Sequence, residues 1–280
     1  MAHRLFEGKE HASAYRKYRI SLSEELVNCI LTFLHEKATY ELLYLGWTLC
    51  VSDSGSVILP TWLMVPINIS VSLCALCDQA PDCLFPNVTV NHSMSLNCPA
   101  EELPLEDGCA DLVTAVSAAH WFDRPRFLQE AHRVLKPRGC LALLNYSMDM
   151  ELHYGDCSGR LIEVCREFYD ALRPYRSPVL GSNSSTLYEE MYDSLPYPEK
   201  EWLNGITVRR FMPLSSYMGW IESFSSYQAL LKEDPEAAGS LSKHIQDRLL
   251  EVMGVSSPDT VVEVAVRYLC VLACKPSGGD

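Results

Sequence analysis

Apolar positions along this chain follow two periods. Between residues 21 and 36, Leu22, Leu26, Val27, Ile30, Phe33 and Leu34 recur at helical spacing, and Ser21-Leu-Ser-Glu24 ahead of them has the form of a capping box. The spacing predicts an amphipathic helix. Residues 111–118 instead form a mainly apolar run, suited to a strand buried on both faces. It is expected at the centre of a sheet, beside a strand at 140–146 and another from the 40–50 region. Between 118 and 140, Asp123 can cap a helix with Pro125 in its first turn. Phe127, Leu128, Ala131, Val134 and Leu135 give that helix a buried face, and Lys136-Pro-Arg-Gly139 is expected to end it. Asn87–Val90 reads as a short strand and 104–108 as a turn.

The second half alternates in the same way. A helix is predicted over 158–172, with Leu161, Ile162, Cys165, Phe168 and Leu172 on one face. A Ser/Pro-rich link is expected over 173–200, then helices over 214–224 and 241–253, the last with Gly254 as its C-cap. Residues 261–274, VVEVAVRYLCVLAC, read as a long closing strand. The order of strands and helices is that of an α/β fold.

Residues 40–77 stand apart. No charge occurs from Ser54 to Cys77, and the length invites comparison with a membrane span. Pro60, Pro66 and Asn68 interrupt it, and no Lys/Arg cluster flanks it. Buried strands or irregular core-facing segments are the expectation, with membrane association of 54–77 as the weaker alternative.

Composition narrows the partners. At 280 residues and 48% hydrophobic, the chain can build a substantial core, and its net charge of −13 argues against nucleic acid. The opening MAHRLFEGKEHASAYRKYR is too polar for a secretory signal, so a cytoplasmic, reducing location is expected, with most of the 12 cysteines free and buried. Cys74-Ala-Leu-Cys77, with Cys83, His92 and Cys98 downstream, has irregular spacing in apolar surroundings, so no metal site is expected.

Candidate chemistry sits after the 111–118 run. Its end in Ser117-Ala118-Ala119, before His120-Trp121-Phe122-Asp123, marks the carboxyl edge of a sheet, where open α/β folds bind ligands. Small residues admit a ligand to the backbone. His120 and Trp121 offer a polar tip and a flat wall, or they simply pack the corner; spacing leaves both open.

PAEELPLEDGCADLV…AAHWFD…FLQEAHRVLKPRGCLAL, together with FEGKEHASAYRKYR near the start, resembles the type 11 family of class I S-adenosylmethionine-dependent methyltransferases. Within it, the chain looks like the branch similar to trans-aconitate methyltransferases. The resemblance implies a Rossmann-like, mostly parallel sheet with an antiparallel final strand. It implies one domain over 1–280: an N-terminal cover and helix (1–37), a cofactor-binding core (38–150), a helical substrate lid (151–258) and the closing strand (259–275). It implies S-adenosyl-L-methionine as cofactor and a small-molecule substrate, with a carboxylic acid as the candidate. Ala100 and Glu101 would border the adenine, Ser117 and Ala118 the methionine part, and His120 and Trp121 would act at the reacting centre. Tyr15 and Arg19 would belong to the segment covering the site, with Arg19 suited to pair with a carboxylate.

One element of the family pattern is replaced. An acidic-x-Gly-x-Gly-x-Gly loop should follow the first strand, because glycines let backbone and helix start approach the cofactor. Here residues 43–62 read LYLGWTLCVSDSGSVILPTW, with Gly46 and Gly55 isolated, and Asp78 is the nearest later acid. The atypical segment 43–77 implies weakened cofactor binding. It also implies an alternative: a catalytically impaired methyltransferase-like protein persisting as a binding module or an unstable variant.

Overall fold

The structure, a computed structural model, describes residues 18, 22–37, 48–51, 56–61, 92–97, 99–148, 150–180 and 184–278. In chain order the elements are α1 (Glu24–Lys37), β1 (Thr48–Val51), β2 (Ser56–Thr61), β3 (His92–Asn97), β4 (Ala110–Val116), a 3-10 turn (Ala119–Trp121), α2 (Arg124–Val134), β5 (Leu135–Tyr146), β6 (Glu151–His153), α3 (Ser158–Ala171), α4 (Ser184–Ser194), β7 (Glu199–Pro213), α5 (Leu214–Glu222), α6 (Ser225–Glu233), α7 (Pro235–Met253) and β8 (Val261–Cys274). Two compact units share them, interleaved in sequence. The larger comprises 21–145, 182–206 and 269–280; the smaller comprises 1–20, 146–181 and 207–268.

In the larger unit the strand order is β3-β2-β1-β4-β5-β8. β4 lies between β1 and β5 and is parallel to both, with Thr48 opposite Leu112 and Leu112 opposite Cys140. Its apolar sequence demands that central place, since Leu112, Val113 and Ala115 are wholly buried. β8 is antiparallel to β5: Arg138 N–H donates to the Lys275 carbonyl and Lys275 N–H to the Gly139 carbonyl. The Rossmann-like α/β fold expected from the sequence is therefore present. The margin differs in direction, because β2 runs antiparallel to β1 and to β3, and only residues 52–55 separate β1 from β2.

Phe127, Ala131 and Val134 of α2 and Leu187, Tyr188 and Met191 of α4 pack into one core with Val113, Ala115, Leu141 and Leu143. The expected 173–200 link is thus corrected: it contains α4, whose apolar positions fall at helical spacing inside a serine-rich stretch. The helix cap at the N-terminus is corrected too. Leu26 N–H donates to Ser23 Oγ at 3.3 Å, so Ser23 caps α1, while Ser21 lies outside the described residues.

Lys136-Pro-Arg-Gly139 does not merely stop a helix; α2 ends at Val134 and these residues already belong to β5. Ala110 faces Leu135 and Leu112 faces Cys140, so 136–139 bulge opposite Asp111 alone. The bulge returns Lys136 Nζ to both carboxylate oxygens of buried Asp111, each at 2.9 Å. Gly139 is sterically required, because a Cβ there would stand 2.9 Å from the carbonyl oxygens of Ala110 and Lys136.

Cys140 and Cys274, opposite each other on β5 and β8, form a disulfide. Among the described residues, Cys29, Cys109, Cys157, Cys165 and Cys270 are free, the last three buried. Asn87–Val90 and the cysteines of the CxxC region lie outside the described residues.

In the smaller unit β6 is antiparallel to β8, with Glu151 opposite Ala265, and β7 pairs with β8. Residues 151–258, expected to be helical, thus contain strands as well as α3, α5, α6 and α7. α7 begins at Pro235, capped by Asp234 (Ala237 N–H to Oδ1, 2.9 Å), two turns before its apolar stripe starts, and Gly254 closes it with φ +68°. The ring of Tyr146 meets those of Trp220, Phe224 and Tyr268.

Candidate functional site

The parallel strands β1, β4 and β5 end at one edge, since Val51 lies opposite Ala115 and Val116 opposite Leu144. There the chain leaves β4 through Ser117. Its N–H donates to the Leu144 carbonyl at 2.7 Å while its φ is +51°, a left-handed conformation uncommon for serine. Ser117 is buried, and its Oγ has no partner among the described residues. A buried hydroxyl without a partner in a strained residue is unusual, and it is the kind of group a bound polar ligand satisfies. Ala118 and Ala119 follow, both fully buried and small.

The 3-10 turn, closed by Trp121 N–H to the Ala118 carbonyl at 2.9 Å, then folds His120 inward. His120 is buried, its Nδ1 lies 3.3 Å from the Tyr188 hydroxyl, and its ring centre lies 5.0 Å from that of half-buried Trp121. The Tyr188 hydroxyl in turn donates to the Leu144 carbonyl at 3.4 Å. One carbonyl, that of Leu144, thus holds both Ser117 and Tyr188.

Glu101 joins the same rim. Its Oε1 accepts the Asp123 N–H at 2.7 Å, which ties the acidic loop to the start of α2, and Ala100 beside it is part of the core. Of the residues singled out from sequence, the structure joins Ser117, Ala118, His120 and Trp121 on one turn and links Glu101 to its end at Asp123. Tyr15, Arg19, Asp53, Gly55 and Asp78 lie outside the described residues. Tyr188 was not foreseen. The Leu187, Tyr188 and Met191 spacing announces α4, but nothing in sequence pairs its hydroxyl with His120.

A concavity of about 600 Å³ lies along α2, lined by Glu101, Asp107, Arg126, Glu130, Arg133 and Lys275 among others. Its charges are committed to the protein. Arg133 donates to the carbonyls of Leu103 and Leu105 and to the carboxylates of Asp107 and Glu130. The hydrogen bond from Arg133 holds the Glu130 carboxyl below the ordinary glutamate range. Burial lowers His132 and Lys275. This is a fastening, not a reactive site. No group of His, Cys, Asp and Glu suited to a metal ion occurs among the described residues, and no helix among them is long and apolar enough to cross a membrane.

Residues 67–143 match the profile of the family described as a methyltransferase domain. Over this stretch the chain is similar to a methyltransferase domain. A candidate methyltransferase of Dictyostelium discoideum is 27% identical over 63% of this chain and 64% of its own length. An uncharacterized methyltransferase of Mycobacterium tuberculosis is 40% identical over 41% of this chain and 42% of its own. The chain therefore spans less than two thirds of these curated relatives. In fold it is similar to a candidate Type II methyltransferase from Anaeromyxobacter dehalogenans, with a TM-score of 0.51 at 20% identity, over 65% of this chain and 72% of that one. The family match begins at residue 67.

Proposed function

We propose that the protein transfers a methyl group from S-adenosyl-L-methionine to a small molecule, with a carboxylic acid as the candidate substrate, at the carboxyl edge of β4. The observation that carries this reading is the buried, unpartnered Ser117 Oγ on a left-handed residue where that strand ends. The bound cofactor supplies an activated sulfonium methyl. The chain's own work is positioning and exclusion of water. Ser117 and Ala118 would hold the methionine part, Ala100 and Glu101 would border the adenine, and Trp121 would wall the substrate on one side, with His120 as the polar group facing it. Tyr15 and Arg19 would cover the site, Arg19 meeting a carboxylate. The net negative charge supports a small molecule over nucleic acid as partner.

A second reading is favoured by one observation. Residues 52–55 join β1 to an antiparallel β2, where the family pattern calls for a glycine loop opening a helix. A scaffold with a disabled cofactor site has that form. Calorimetric titration with S-adenosylhomocysteine separates the two. The methyltransferase reading expects measurable binding, weaker than low micromolar, that is reduced in Ser117→Gly. Absence of heat and of thermal protection would leave the non-catalytic reading. Low-micromolar binding by the unaltered chain would show that the atypical segment does not weaken the site.

A further inference from the structure

We infer that the side-chain amide of Asn145 determines specificity at this site, by receiving a neutral substrate group that presents a hydrogen-bond donor and acceptor side by side, as a carboxamide does. Asn145 follows Leu144 on β5, and the Leu144 carbonyl accepts the Ser117 N–H at 2.7 Å. The pairing of Val116 with Leu144 puts Asn145 level with Ser117 at the carboxyl edge of the sheet. Leu141 and Leu143 belong to the core shared with α2 and α4. Side chains two apart along a strand share a face, so Asn145 stands on that face too. It is 6% exposed, and its carboxamide makes no hydrogen bond among the described residues.

Two neighbouring strands thus end in buried polar side chains, Ser117 and Asn145, that the described residues leave unsatisfied. Burying an amide without partners is unfavourable, and a ligand that pairs with it removes the penalty. The amide itself selects the ligand. It offers N–H donors at Nδ2 and lone pairs at Oδ1, in one plane and without charge. A carboxamide pairs with both atoms at once. An ionised carboxylate only accepts, so it meets Nδ2 and leaves Oδ1 facing a negative oxygen. A site built to hydrogen-bond a substrate group rejects the analogue that leaves one of its buried atoms unpaired. The inference deepens the methyltransferase reading and rests on it. The carboxylate of the candidate substrate would then lie away from β5, and the substrate would carry an amide-like group as well.

The test titrates the full chain with benzamide and, separately, with benzoate, each with and without S-adenosylhomocysteine, and reads binding by saturation-transfer NMR. The two probes share ring and size and differ in the group offered to Asn145. Benzamide is expected to bind at least about tenfold more tightly than benzoate. Asn145→Leu removes the amide at similar volume. It is expected to melt no lower than the parent, since an apolar group replaces an unsatisfied polar one, and to lose the preference for benzamide. Equal affinity for the two probes, absence of benzamide binding, or a preference that survives in the folded variant overturns the inference. If Asn145→Leu does not fold, Asn145→Ala decides in its place. S-adenosylhomocysteine tests the underlying reading separately. If it neither binds nor alters the affinity of either probe, the methyltransferase reading fails, while an amide preference that disappears with Asn145 still stands.

Discussion

The two ends of β4, a strand of seven residues, differ in almost everything chemical. At the start, Asp111 is buried with a 3% exposed side chain, and Lys136 reaches it with two hydrogen bonds. The neighbouring Arg133 distributes its donors over two carboxylates and two carbonyls. At the finish, Ser117 sits in a left-handed conformation with an unpartnered hydroxyl, and the next polar side chain, His120, hangs from a tyrosine on another helix. Where polar groups are satisfied, the residues serve the fold. Strain and an unsatisfied hydroxyl occur together at the finish, where the ligand site is proposed.

Substitutions at the two ends should therefore have different signatures, and the largest effect belongs to the start. Gly139→Ala drives a Cβ against backbone oxygens that cannot swing aside, so denaturant unfolding should show a loss of about 3 kcal/mol. A loss near zero would mean the bulge relaxes freely and the start is less fastened than described. Lys136→Met should cost about 2 kcal/mol, because it removes two hydrogen bonds and the opposite charge from a buried carboxylate, discounted here for the partly exposed lysine. Ser117→Gly should have the opposite sign. It should raise stability by about 1 kcal/mol by relieving the left-handed serine, while weakening S-adenosylhomocysteine binding measured by calorimetry. A destabilised Ser117→Gly that binds normally would erase the contrast.

The smallest effect is a pH dependence. Arg133 depresses the folded-state pKa of Glu130, so the stability it contributes is present above the ordinary glutamate range and fades as the pH falls through the lowered value. Melting curves between neutral pH and pH 3 should lose that slope in Glu130→Gln. An identical pH profile in the variant would show that the Arg133 network is not a source of stability.

Legibility in the sequence followed the same division. β4, α2 and β8 could be read because each buries a continuous run or a clean stripe, and burial is what hydrophobic pattern encodes. Lys136-Pro-Arg-Gly139 was misplaced because Pro and Gly read as a stop, whereas here they shape a bulge whose purpose depends on Asp111, 25 residues earlier. β7 went unseen because Val208 is its only buried side chain, leaving no alternation to detect. At the site, the carboxyl edge with Ser117 and His120 could be inferred from small residues ending an apolar run. The partnership of His120 with Tyr188 could not, since it exists only once residues 68 apart have met.

That separation has a kinetic meaning. Contacts between distant residues form late, after loop closure has been overcome, whereas the Ser117–Leu144 link belongs to strands already joined by a single helical crossover. The His120–Tyr188 contact closes a longer loop than the Ser117–Leu144 link, and Tyr188→Phe is expected to speed unfolding more than it slows folding.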